Sequence, residues 1–128
     1  MKVITVKQPW AHLIIHGPKR IENRSWPTSY RGPLLIHAGK SAAPLSSMTI
    51  SDLRLENYGA DFDFKVLVYG AIIGVVHLTD CVSVEQLPEG EPFAEGPWCW
   101  ILTDPRALTP FPCRGALSLW QPPPGFQM

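Results

Sequence analysis

Net charge, long apolar runs and paired cysteines are all missing from this 128-residue sequence. Eleven basic residues balance eleven acidic ones, so no overall positive excess draws the chain to polyanions in general. No apolar stretch approaches the roughly 20 residues that a membrane-spanning helix needs. The opening MKVITVKQPW lacks the continuous apolar region of a secretory signal and reads as a mature, cytoplasmic start. Cys81, Cys99 and Cys113 form no CxxC pair, which points to reduced, structural thiols rather than a disulfide frame. There is no P-loop, dinucleotide fingerprint or Ser-His-Asp arrangement, and no cofactor is expected.

What is present is an ordinary globular composition, 45% apolar and 17% charged, on a chain long enough for one domain over residues 1–128 with a core of its own. Fourteen prolines favour loops and strand boundaries over long helices. The charge is unevenly spread. Residues 1–50 carry Lys2, Lys7, Lys19, Arg20, Arg24, Arg31 and Lys40 against Glu22 alone, a surplus of six positive charges. Residues 51–104 carry ten acids against Arg54 and Lys65, a surplus of eight negative ones. Either the basic part meets an anionic partner, or the two halves interleave in the fold and neutralise each other.

Apolar spacing sets the elements. KVITV (2–6) is β-branched and reads as a strand. Trp10, Leu13 and Ile14 follow at i, i+3, i+4, the stripe of a short helix that begins at Pro9 and stops at Gly17-Pro18, with Gly17 in the left-handed conformation. Residues 19–24, 34–38, 67–84, 98–102 and 117–120 read as further strands, with Gly70 and Gly74 marking a bend or bulge and Pro105 ending the fifth. Ser51 would cap a short helix stopped at Gly59. Residues 85–97, acidic and proline-rich, form a loop or a mobile lid. One early helix among irregularly spaced strands suggests a mainly antiparallel small barrel, because the crossover helices of a parallel sheet are missing.

The polar interest concentrates between Gln8 and Lys40. In a strand over 19–24, alternate side chains share a face, so Arg20, Glu22 and Arg24 point one way and Lys19, Ile21 and Asn23 the other. Lys19 could hold a phosphate or, with its pKa lowered by burial, act as a base; otherwise it is a solvated lysine. Glu22 could serve as a general acid/base or accept a hydrogen bond from a nucleobase amine, or be spent on an ion pair with Arg20 or Arg24. Arg24 and Arg31 suit phosphates or base edges, or else pin the loop over 26–33. Lys40 joins the basic set. Trp26, in that loop, is the better stacking platform, while Trp10 on the helix stripe reads as core, and Trp98 and Trp100 share a face as core or cleft wall. His12 and His16 stand at i, i+4, but a third ligand is missing and no metal site is expected. His37 and His77, inside apolar strands, read as core histidines.

QPWA, then HGPKRIENRSW, then YRGPLLIHAGK, with GAIIGVVHLTDC, PWCWILTDPRAL and RGALSLW further on, closely resemble the ASCH domain family over nearly the whole chain. Its most specific piece is GxKxxExR, here Gly17 to Arg24. The resemblance implies a mainly β fold with helices (α+β), a small PUA-like β-barrel with a short N-terminal helix beside a ligand cleft. It also implies binding of RNA or a modified nucleoside in that cleft, for which the reading of the residues above offers Lys19, Glu22, Arg24, Trp26, Arg31 and Lys40 as binding residues. The alternative it implies is a metal-free hydrolase using Lys19 and Glu22, either an amidohydrolase on acetylated cytidine-type nucleosides or a ribonuclease. The amidohydrolase members have a threonine nucleophile where this chain has Glu22, which counts against the same covalent chemistry. They also need a later acid, for which Glu95 in the acidic loop is the candidate.

Overall fold

β-Branched runs pair into one mixed sheet in a computed structural model that describes residues 1–43 and 67–128. In chain order the elements are β1 (Lys2–Gln8), α1 (Trp10–His16), β2 (Ile21–Arg24), β3 (Gly32–Ala42), β4 (Ala71–Ser83) and β5 (Trp98–Pro112). The sheet order is β1-β3-β4-β5-β2, with β1 and β3 parallel and the other three pairings antiparallel. This is the expected mainly β fold with a short N-terminal helix. Among the described residues the sheet runs open from β1 to β2 rather than closing its hydrogen bonds into a full barrel. The capped helix expected near Ser51 lies outside the described residues.

Both faces of the sheet are covered, and this explains the continuous apolar run of β4, buried from Ala71 through Val76. On one face Ile4, Ile36, Ile73, Val76, Trp100 and Leu102 pack with Ala11, Ile14 and Ile15 of α1. On the other, Val3, Leu35, Ile72 and Val75 lie under Leu108, Phe111, Trp120 and Phe126. Burying each large side chain such as Ile14 contributes about 1.5–3 kcal/mol. Gly74 lets the helix lie down on the sheet. A Cβ there would stand 2.5 Å from Ile15 Cδ1 and 2.8 Å from the Arg106 carbonyl oxygen. The β3–β4 register shifts beside it, between Ile36 and His37, as a bulge near Gly74 requires.

Gln8 ties the helix entrance together. Buried to 1% exposure, it donates from Nε2 to the Val68 carbonyl (2.7 Å) and accepts at Oε1 from the His12 N–H (2.9 Å), a donor that the start of a helix leaves unpaired. Gln8→Ala is expected to lower stability by about 1–3 kcal/mol, because a buried side chain is removed and two backbone groups lose their partner. Urea unfolding at constant m-value measures it.

Several sequence expectations are corrected. Gly17 ends α1 in extended backbone (φ −127°, ψ −160°), not left-handed; glycine suits it because a Cβ would lie 2.9 Å from Leu13 Cδ2. β2 begins at Ile21, so Lys19 precedes the strand and escapes its alternation. β5 continues through Pro105 to Pro112: the ladder steps from His77–Thr103 to Val75–Arg106, and the skipped residues, Asp104 (φ 52°) and Pro105, owe it no N–H. The last segment is no strand. Ser118 takes φ 58°, Leu117 is 93% exposed, and Trp120 alone bridges to Val3. His77 is exposed because it lies one step beyond Val75, the last residue of β4 in the cluster that covers that face of the sheet.

Candidate functional site

A cleft of about 830 Å³ opens where β1, the start of α1, β2 and the end of β3 meet the loop after Pro88. Each side chain arrives there for a local reason. Glu22 and Arg24 share the inner face of β2 by the two-residue period. Lys19, in the turn between α1 and β2, folds back onto the same side, held by its own N–H to the Leu13 carbonyl (3.1 Å). The face expected for Glu22 and Arg24 is therefore right and that for Lys19 is not. Arg20 turns away, donating to the carbonyls of Ile14 (3.2 Å) and Lys19 (3.0 Å).

The result is a buried line of alternating charge. Glu22 Oε2 accepts from Arg24 Nε (3.0 Å) and lies 2.8 Å from Arg24 Nη2, while Nη2 also donates to the Thr5 carbonyl (2.7 Å). Lys19 Nζ stands 3.8 Å from Glu22 Oε1, an ion pair too long for a hydrogen bond, and donates instead to the Ile21 carbonyl. Lys19 is 3% exposed and Glu22 8%. Burial pushes the Lys19 pKa below its ordinary value, partly opposed by the negative charges of Glu22 and Glu95. Two aromatic rings also face its ammonium, Trp10 at 5.6 Å and Phe93 at 5.5 Å. Two cations against one carboxylate leave the floor net positive, and Oε1 of Glu22 has acceptor capacity that Arg24 does not use. Such a floor can receive an anionic or hydrogen-bond-donating group.

Of the residues singled out from sequence, Lys19, Glu22, Arg24 and Lys40 line this cleft. Trp26 and Arg31 do not. Trp26 packs edge-on against Trp100 (centroids 4.9 Å, 83°) and its carbonyl faces the Trp100 indole N–H (3.4 Å). Arg31 pins its own loop through the carbonyls of Thr28 (2.8 Å) and Tyr30 (2.9 Å) and pairs with Asp80 (3.5 Å). Trp10 is half-buried and forms cleft wall rather than interior. Glu95 reaches the rim.

Sequence reasoning missed Lys7, Phe93 and the stretch 116–118, which also line the cleft. Alternation along β1 could have flagged Lys7; nothing local marks Phe93. His12 and His16 do share a helix face, stacked at 4.7 Å, and among the described residues no group of three His, Cys, Asp or Glu could hold a metal. His37 is a satisfied core residue between Thr5 Oγ1 (3.3 Å) and the Cys113 carbonyl (2.8 Å). The cysteines are free, and burial raises the thiol pKa of Cys99 and Cys113, which disfavours their thiolate forms. Among the described residues no helix is long and apolar enough to cross a membrane.

The ASCH domain family model matches residues 4–112. Activating signal cointegrator 1 of Homo sapiens is 34% identical over 127 residues, which covers 92% of this chain and 22% of that protein. Its Mus musculus counterpart is 32% identical over 125 residues, with the same coverage. The chain thus spans about a fifth of the length of these relatives. The crystal structure of ASCH from Zymomonas mobilis superposes with a TM-score of 0.54 at 15% identity, over 96% of this chain and 87% of that one. A mutant form of the same protein gives 0.55 at 16% identity, over 96% and 88%. At such identity the likeness is one of fold.

Proposed function

Because this chain belongs to the ASCH domain family, whose PUA-like fold is associated with RNA binding, we propose that residues 1–128 act as one domain that binds RNA or a modified nucleoside between α1 and the sheet. The observation that carries the reading is the buried Lys19–Glu22–Arg24 line at the floor of an open cleft with exposed Lys7 and Lys40 on its rim. In this reading Lys7 and Lys40 meet phosphates, and Arg24 and Lys19 hold polar groups of the base or sugar. Glu22 Oε1 accepts from an exocyclic amine. Trp26 and Arg31 take no direct part. The setting is a reducing one, the cytoplasm, where the three thiols stay as they are.

A short fluorescein-labelled single-stranded RNA followed by anisotropy across a salt series tests it. Binding should weaken with salt by about 0.7 log units per log unit for each phosphate neutralised. Lys7→Ala/Lys40→Ala should flatten that slope by about 1.4. A slope and affinity identical to the unmodified protein would remove this site from the reading.

One observation favours a second reading, metal-free hydrolysis of an amide on an acetylated cytidine-type nucleoside or of an RNA phosphodiester. Burial lowers the Lys19 pKa and so leaves more of its amine unprotonated, able to accept a proton, than in an exposed lysine, and a carboxylate stands beside it. Incubation with acetylated cytidine and a mixed RNA, read by mass spectrometry, decides it. Product that disappears in Lys19→Met supports the hydrolase; no product, with RNA retained at low salt, leaves the binding domain.

A further inference from the structure

The acidic loop carries the only backbone strain beside the cleft among the described residues that falls on a large aromatic residue. Phe93 adopts φ 66°, a left-handed conformation that a bulky side chain takes only where its surroundings insist. Asn23 supplies the insistence. Its Nδ2 donates to the Phe93 carbonyl (2.8 Å), and its Oδ1 accepts from the N–H groups of both Glu95 (2.9 Å) and Gly96 (2.9 Å). One side chain on β2 thus holds three backbone groups of a segment some 70 residues away in sequence. Gly96 completes the clamp: at φ 77° it lies against Val84, where a Cβ would meet that side chain at 2.7 Å.

The clamp has a visible consequence in the cleft. It brings the Phe93 ring edge-on to Trp10 (centroids 6.4 Å, 78°), closing an aromatic corner above the Lys19 ammonium. Both rings stay partly accessible and both line the open volume. An aromatic face beside hydrogen-bonding groups suits a flat heterocycle. A duplex base could not enter, since its faces are already stacked.

Resting on the binding function proposed above, we propose that Phe93 is the specificity-determining stacking contact for one unpaired nucleobase, and that Asn23 is the positioning residue that sets it. Asn23 acts through Phe93: it too borders the cleft, but its side-chain amide is engaged by the backbone of residues 93, 95 and 96. The ligand class is therefore a single-stranded or looped-out base.

Amide hydrogen exchange and RNA anisotropy together test this on the full chain. In the unmodified protein the Glu95 and Gly96 amides should be protected, and Asn23→Ala should release both. Phe93→Ala should weaken binding of a labelled single-stranded oligoribonucleotide by between about 5-fold and 150-fold, the range for loss of one stacked base. Asn23→Ala should reproduce most of that loss, and Asn23→Ala/Phe93→Ala should bind no more weakly than Phe93→Ala within about twofold. Asn23→Asp keeps both amide bonds and should lie in between; it also serves if the alanine variant fails to fold. A blunt duplex of the same sequence should not compete. Three results overturn the inference alone: Phe93→Ala at full affinity while the Lys7→Ala/Lys40→Ala variant still shows its flattened salt slope, additive losses in the Asn23→Ala/Phe93→Ala variant, or equal competition by duplex. No RNA binding by the unmodified protein overturns the binding function and this inference with it.

Discussion

Replacing Glu22 with alanine is expected to cost the fold about 3–5 kcal/mol, the loss typical of stranding a buried charge without its partner. Among the described residues the carboxylate is the sole negative group within ion-pairing distance of Lys19, at 3.8 Å, and it holds Arg24 at 2.8 Å. Arg24 is 23% exposed at its side chain and recovers part of its loss from water; Lys19, at 4%, does not. A double variant, Lys19→Met/Glu22→Gln, leaves no buried ammonium and keeps an acceptor for Arg24. It should regain most of the stability, as chemical denaturation would show. If Glu22→Ala alone is neutral, the charge line contributes nothing to the fold.

The same lysine makes a pH prediction whose sign is fixed by its direction of shift. Burial holds the folded pKa of Lys19 below the unfolded value near 10.5, so between the two the unfolded chain binds more protons. Lys19 therefore imposes a stability penalty that is full below its folded pKa and is relieved as pH rises towards 10.5. The gap in melting temperature between the unmodified protein and Lys19→Met should narrow over that interval. Widening instead would reverse the assignment of burial as the dominant cause.

Trp100→Ala is the second large effect, about 3–5 kcal/mol. Trp100 is fully buried, pairs in register with Glu22 across β2 and Cys81 across β4, and carries the edge-on contact with Trp26. Removing it opens a cavity at the root of the strand that presents Glu22 and Arg24, so RNA affinity should fall along with stability. Trp100→Phe fills more of the space and should lose less of both. Calorimetry and anisotropy on the two variants check this; equal stability for alanine and phenylalanine would mean the neighbours collapse onto the site.

The sequence by itself determined much of this protein. β-Branched runs named β1 and β4, apolar runs between turn residues named β3 and β5, and the stretch after Gly17-Pro18 named the strand that holds β2. The i, i+3, i+4 stripe named α1, and the two-residue period put Glu22 and Arg24 on one face. GxKxxExR, with the matching segments around it, identified the family and pointed at the right stretch for the cleft. These are local signals, legible because each residue's neighbours in the chain set its backbone and the direction of its side chain.

What only the tertiary structure decided depends on pairings between distant parts of the chain. Lys19 joins Glu22 because it lies just outside the strand, where alternation does not apply. Trp26 and Arg31 turn away because Trp100 and Asp80, more than 45 residues on, receive them. β5 runs through Pro105 because a register shift against β4 asks nothing of the missing N–H. Phe93 reaches the cleft because Asn23, on another strand, captures its backbone. No periodicity within a short window encodes such contacts; they exist once the sheet has brought its strands together, and the cleft is built from them.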